Sequence, residues 1–397
     1  MRTSISPKGN DMSHRTGLHR TGLPRPGRRA EPKNGTILLR TLVAVASVLV
    51  ALFAPAAASA AGAHRAPHRV PDRHGHRSGF NRPGDILIAD QFNNRVIELD
   101  QHHHVVWQYG LGPNDFSARS IIGVNDVQRV GSFTLMAGTG DPAGVTPACT
   151  DPNGCADNRV ILVNPAGHIV WQYGQFGVTG SGPEELSAPV QSTWLPNWHV
   201  LITDQGNQRV IEVNLAGQIV WQYGTTGLAG MGPDQLNSPN SAELLRNGHV
   251  LIADESNNRV IEVDRAHDVV ATYTAGGTLG AVAFASRLRN GDTLMTDAGN
   301  NRAVEVDAAD NVVWEYATNT DPASNPSPAP TRAIRLRNGD TLISDQFNDR
   351  VIEVNMAKQI VFTVGTINVP GFGPNALNAP YDAKVVGDYT GLTPPFR

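Results

Sequence analysis

Cysteine is nearly absent: Cys149 and Cys155 are the two cysteines in 397 residues. Two thiols six positions apart can staple one loop but cannot hold a fold together, and two Cys alone lack the ligands of a structural metal site. In an exported chain they are expected to pair. Long apolar runs are also missing. The most continuous one, Leu42 to Phe53, has about twelve residues against the roughly 20 that span a bilayer. No stretch has helical periodicity, and the sequence has no His-Glu-x-x-His, Gly-x-Ser-x-Gly or phosphate-loop motif. Positive charge is scarce outside the amino terminus. Residues 1–60 hold nine Lys/Arg against Asp11 and Glu31, which leaves −11 of the chain's net −4 to the remainder and about −14 to residues 81–397. Such an acidic body argues against nucleic acid and anionic membranes as partners.

The basic start, the short apolar run and the small residues Ala58 and Ala60 describe a secretory signal peptide over residues 1–60, cleaved after Ala60. Residues 61–80, with His64, His68, His74 and His76 among Arg and Pro, read as a disordered linker. The protein is therefore expected to be secreted, a monomer, and without a membrane span after cleavage.

A repeat fills the rest. Gly84 to Tyr109 reads GDILIADQFNNRVIELDQHHHVVWQY, Trp198 to Tyr223 reads WHVLITDQGNQRVIEVNLAGQIVWQY, and Gly248 to Tyr273 reads GHVLIADESNNRVIEVDRAHDVVATY. Further copies start at Gly291 and Gly339, and a degenerate one lies between Ser132 and Tyr173. Within each copy, apolar residues alternate with period two and turns recur about every ten residues, the pattern of short strands. Asn-Gly at Asn247-Gly248, Asn290-Gly291 and Asn338-Gly339 marks a hairpin before three of the copies. The repeated Asp falls at 90, 204, 254, 297 and 345, with one copy missing between the first two. Six units of about 50 residues predict an all-β, six-bladed β-propeller of four-stranded antiparallel blades over residues 81–397. The first unit lacks an opening strand, and LNAPYDAKVV at 377–386 matches the LNSPNSAELL that opens the fourth. The carboxyl-terminal strand is thus expected to close the ring by joining blade 1, which removes a free edge.

The Asp254…Arg259 pair recurs at the same spacing as Asp90/Arg95, Asp204/Arg209, Asp297/Arg302 and Asp345/Arg350. Five copies pointing in five directions read as a turn clamp and not as acid–base catalysis. Trp107, Trp171, Trp221 and Trp314 share one position, held by Ala271 and Phe362 in the other copies, and are expected to pack between blades. His102-His103-His104 falls in a turn, and His199 and His249 are expected at the surface.

Function is sought where the copies differ. Opening strands line a propeller's channel, and here they supply Asn125, Asp126, Gln191, Asn240, Ser241, Arg332, Tyr381 and Asp382 as candidate ligand-binding residues. No cofactor motif is present, but oxygen donors from several blades suit Ca²⁺, and Asn125, Asp126, Asn240 and Asp382 are the set that would hold it. The other reading is a water-filled channel with polar walls. In the second unit Gly138 replaces the Asp, and 21 residues instead of five separate it from Arg159, so an insertion carrying both cysteines lies on the expected ligand face.

The fourth unit, with its Asp-x-x-Asn-x-Arg-Val core and the preceding GMGPDQL loop, resembles the NHL repeat. The Ile219-Val220-Trp221-Gln222-Tyr223-Gly224 strand is similar to quinoprotein-like and arylsulfotransferase-like propeller repeats. The resemblance covers residues 81–386 and implies a fold more than a chemistry, since such propellers include binding modules, lyases and hydrolases. Two functions follow as expectations. One is a secreted binding module for a protein or glycan ligand on the loop face. The other is a Ca²⁺- or Zn²⁺-dependent hydrolase or lyase with its site in the channel. The family's lyases imply zinc-binding His near the channel, yet no His occurs in the opening strands here.

Overall fold

The structure is a computed structural model that describes residues 79–388. The expected signal peptide and nearly all of the 61–80 linker lie outside the described residues. Each blade is a four-stranded antiparallel sheet, and in blades 2 to 6 the strands run in sequence order from the axis outward. In blade 4 these are Pro239–Leu244, Val250–Asp254, Arg259–Val263 and Val269–Tyr273. The innermost strands of blades 2, 3, 5 and 6 are Val124–Val130, Pro189–Trp194, Val282–Arg287 and Arg332–Arg335. Blade 1 takes its innermost strand, Pro380–Val385, from the far end of the chain, where Ile88 pairs with Ala383. The ring therefore closes as the sequence implies. Among the described residues no helix is long and apolar enough to cross a membrane.

The alternation of apolar residues gives each blade two covered faces, and neighbouring blades share their cores. Leu251 and Val260 of blade 4, for example, pack with Val282, Met295 and Val304 of blade 5. Trp107, Trp171 and Trp221 sit at these seams. Trp107 Nε1 donates to Pro165 O of the next blade at 3.0 Å, and Trp171 Nε1 to Leu215 O at 3.3 Å. Arg265 and Arg335 stack on Trp221 and Trp314 at 4.8 and 5.2 Å. A charged pair closes four seams: Arg129 with Glu98, Arg265 with Glu212 and Arg335 with Glu305 beside a tryptophan, and Arg287 with Glu262 where Ala271 replaces it.

The Asp clamp is built as expected and does more than hold its own turn. Asp254 Oδ2 accepts from Asn257 Nδ2 and Arg259 Nε at 2.8 and 2.7 Å, while Oδ1 accepts the Asn237 amide at 2.7 Å. The carboxylate thus ties the turn to the connection that enters the blade. Between them runs a single 3₁₀ turn, Glu255–Asn257, ended by Asn258 in the left-handed region at φ 52°. In blade 2 the clamp survives the loss of the Asp. Asp157, on the third strand, binds Arg159 and accepts the Ile122 amide at 2.7 Å. A Cβ at Gly138 would lie 2.7 Å from the Asp157 carboxylate, so glycine there makes room for the transferred acid. The insertion ends in a disulfide between Cys149 and Cys155, as the cysteine spacing suggests.

Candidate functional site

The innermost strand of each blade has one edge without a strand partner. In blades 2 to 5 its N–H groups face the preceding blade, whose side chains supply acceptors. Asp382 Oδ2 accepts from Val127 N at 3.0 Å, Asp126 Oδ2 from Ser192 N at 3.2 Å, and Gln128 Oε1 from Trp194 N at 2.7 Å. Gln191 Oε1 accepts from Ala242 N at 2.6 Å, Ser241 Oγ from Ala285 N at 3.1 Å, and Glu243 Oε2 from Arg287 N at 2.9 Å. Buried N–H groups left unpaired are costly. Four of the channel candidates, Asp126, Gln191, Ser241 and Asp382, therefore act as latches from one blade to the next. Their variation among blades reflects which acceptor fits each seam.

Asp126 and Asp382 also share Lys384. Its Nζ lies 3.0 Å from Asp126 Oδ1, contacts Asp382 Oδ2, and donates to Val127 O at 2.6 Å. Burial alone would discharge the lysine, but the two carboxylates outweigh it and hold the ammonium above its usual range. Burial pushes the Asp126 carboxyl up, against the pull of Lys384.

A second group lies nearer the face that carries the 3₁₀ turns. Arg332, from blade 6, is fully buried and crosses the axis. Nη1 donates to Asn240 Oδ1 of blade 4 at 3.1 Å and to Ala283 O of blade 5 at 3.2 Å, and Nη2 to Val190 O of blade 3 at 3.2 Å. Its guanidinium packs on Tyr381 of blade 1 at 5.0 Å and on Phe284 at 5.4 Å. The central passage is thus bridged at this level by one side chain. Above it, Asn240 Nδ2 donates to Tyr381 OH and to Glu255 Oε2, both at 2.9 Å, and Gln205 Nε2 adds a second bond to the same Oε2 at 3.0 Å. Burial raises the Glu255 carboxyl to about 7, opposed by the Asn240 bond and the Arg332 charge. Burial also raises the Tyr381 hydroxyl. A third group joins Gln346, Gln91 and Asn125 by bonds of 2.8 Å.

All eight candidates of the opening strands are buried around the axis. Arg332, Asn240 and Tyr381 are brought together, and Asp126 meets Asp382. The four oxygen donors set aside for Ca²⁺ are divided among three hydrogen-bonded groups, with Lys384 between the two carboxylates. Among the described residues no three His, Cys, Asp or Glu are placed to hold one metal ion. His199 and His249 are half-buried, where a surface position was expected. Their Nδ1 atoms lie 2.6 and 2.7 Å from Glu212 and Glu262. Sequence reading overlooked Glu255 and Lys384. Both were visible as departures: Glu255 stands where other copies have Gln91, Gln205 and Gln346, and Lys384 where blade 4 has Glu243.

No protein-family model matches the sequence, and no curated protein matches it. Solved structures do. A protein of unknown function from Bacteroides caccae is 15% identical with a TM-score of 0.51, over 71% of this chain and 93% of that one. Virginiamycin B lyase from Staphylococcus aureus is 14% identical with a TM-score of 0.47, over 74% and 86%. A nidogen/laminin complex contains a chain 11% identical with a TM-score of 0.48, over 75% and 97%. The likeness to the Bacteroides caccae protein is one of fold alone: the chain is a six-bladed β-propeller.

Proposed function

We propose that this chain is an exported, NHL-like β-propeller that acts as a binding module, seating a protein or glycan ligand over the channel mouth on the face of the 3₁₀ turns. The observation that carries the reading is Arg332 laid across the axis with Asn240, Tyr381 and Glu255 around it. This group offers donors and acceptors at one spot, and Arg332 Nε is buried without a hydrogen-bond partner. Such an atom calls for a water or a ligand. Asp126, Gln191, Ser241 and Asp382 each accept an amide of the next blade, which leaves Glu255 as the titratable group best placed to meet a ligand. A disulfide in so cysteine-poor a chain supports export to an oxidising compartment.

Thermal-shift screening of the purified chain against oligosaccharides and candidate surface proteins, followed by calorimetry, tests this. A ligand that raises the melting temperature of the parent and fails to do so with Glu255→Gln is the expected result. Metal-dependent turnover of lactones or esters, lost in Asp126→Asn, would instead establish the alternative of a Ca²⁺- or Zn²⁺-dependent hydrolase or lyase.

A further inference from the structure

The connections that carry the chain from one blade to the next lie on the face of the 3₁₀ turns. An Asn of the turn pins five of them. Asn93 Nδ2 donates to Gly371 O and Asn207 Nδ2 to Gly180 O, both at 2.7 Å. Asn257 and Asn300 reach Gly230 O and Thr278 O at 2.8 Å, and Asn348 reaches Thr318 O at 3.1 Å. Three connections, 174–188, 224–238 and 366–379, share one build. Gly180 N donates to Leu186 O, Gly230 N to Leu236 O and Gly371 N to Leu377 O, at 3.1, 3.0 and 2.9 Å, and all three leucines are buried. The residue after the pinned glycine is Ser181, Met231 or Phe372, and each is exposed. These side chains therefore stand on a preformed base, which spares a ligand the cost of ordering it.

The connections differ in what they expose. Met231 is 61% exposed, Phe372 51%, and Leu111 of connection 110–123 57%. Val178, Leu228 and Val369 are exposed as well. These six stand at four consecutive seams, from that between blades 6 and 1 round to that between blades 3 and 4. The two remaining connections, 274–281 and 318–331, expose no Val, Leu, Ile, Met or Phe. Neighbouring connections meet: a Cβ at Gly112, beside Leu111, would lie 3.2 Å from Phe372 Cζ, and the Arg95 guanidinium covers one side of the Phe372 ring at 4.4 Å. The outermost strands expose Val or Ile in all six blades, so they do not set one side of the ring apart. The half-ring of apolar connections does. Charge is one-sided too. The six connections carry the carboxylates Asp115, Glu184, Glu185, Asp234 and Asp321 against one cation, Arg119.

We propose that this half-ring is the docking surface for a basic, amphipathic segment of a partner protein, whose apolar side chains cover Met231, Phe372 and their neighbours while its Lys and Arg meet the carboxylates. The inference rests on the channel-mouth reading above and narrows the ligand there to a protein. Two observations select this occupant. The apolar side chains are spread over four seams, wider than one sugar ring covers, and exposed apolar surface rimmed by polar groups marks protein contacts. The carboxylates of the connections, in a propeller of net negative charge, complement a cationic partner and repel an anionic bilayer.

A library of random twelve-residue peptides displayed on phage should be selected on the immobilised full chain, and the enriched peptides synthesised and titrated by calorimetry. Enriched peptides should carry net positive charge together with aromatic or aliphatic residues, and should bind more weakly as salt is raised. Met231→Ser and Phe372→Ser each install the residue that the sister connection carries at Ser181. Each should leave the melting temperature unchanged, and the two combined should weaken the peptide by about tenfold or more. The proposal is overturned if no peptide is enriched, if the enriched peptides are acidic or wholly polar, or if the combined variant binds as the parent does. Loss of binding in Glu255→Gln but not in the combined variant would leave the channel-mouth reading standing and overturn this one. Loss in the combined variant alone upholds the docking surface and places Glu255 outside its footprint. Binding of N-acetylchitohexaose or of phosphatidylglycerol vesicles, in place of any peptide, that the combined variant abolishes would assign the surface to a glycan or a membrane and overturn the proposal.

Discussion

Glu255→Gln isolates the most unusual ionisable group of the channel mouth. The substitution keeps the shape and leaves one oxygen to accept from Asn240 Nδ2 and Gln205 Nε2, which both bind Oε2 in the parent. It also matches the glutamines at the same position in three other blades. The carboxyl is raised from 4.5 to about 7. In the unfolded chain it ionises near its ordinary value, so between roughly pH 4.5 and 7 the folded state binds the extra proton. Stability from this group is therefore fully present below pH 4.5 and is lost as pH rises through 7. A difference of about 2.5 pH units at about 1.4 kcal/mol each gives an upper bound of about 3–4 kcal/mol. The glutamine stays neutral and escapes this loss. Urea denaturation at pH 4.5 and pH 8 should show the variant near the parent at the lower pH and more stable by about 1–3 kcal/mol at the higher one. An equal difference at both pH values would show that Glu255 titrates normally and is not the buried acid described here.

Three other perturbations test the frame. Removing residues 376–397 deletes the inner strand of blade 1 together with Tyr381, Asp382 and Lys384, and should abolish cooperative unfolding; a truncated chain that melts as sharply as the parent would refute ring closure by this segment. Asp157→Ala leaves Arg159 buried without its carboxylate and should cost about 3–5 kcal/mol in denaturant unfolding, whereas a tolerated change would mean that blade 2 needs no clamp. Lys384→Met leaves Asp126 and Asp382 facing each other without a counter-ion and should cost a similar amount, about 3–5 kcal/mol, with part recovered at low pH as a carboxyl protonates.

The sequence by itself determined the ring. Period-two alternation, the Asn-Gly hairpins and the repeated Asp…Arg clamp are local signals, and local signals specify strands and turns. Even closure was legible, because residues 377–386 resemble the opening of the fourth unit closely enough to be read as an opening strand. What the channel residues do was not legible. Asp126 and Asp382 looked like free oxygen donors, and only the fold reveals Lys384 between them and the amides of the next blade against them. Asp157 takes over a clamp that its position in the repeat does not assign to it, because the third strand of blade 2 runs beside the second and can deliver an acid from the other side. Arg332 contacts blades 1, 3, 4 and 5, which no spacing along the chain expresses. The proton affinity of Glu255 belongs to the same class, since it follows from burial near the axis. For the groups at the axis the physical reason is common. A repeat encodes what each blade does to itself, whereas partners across a closed ring are set by which side chains converge on the axis after the blades have assembled.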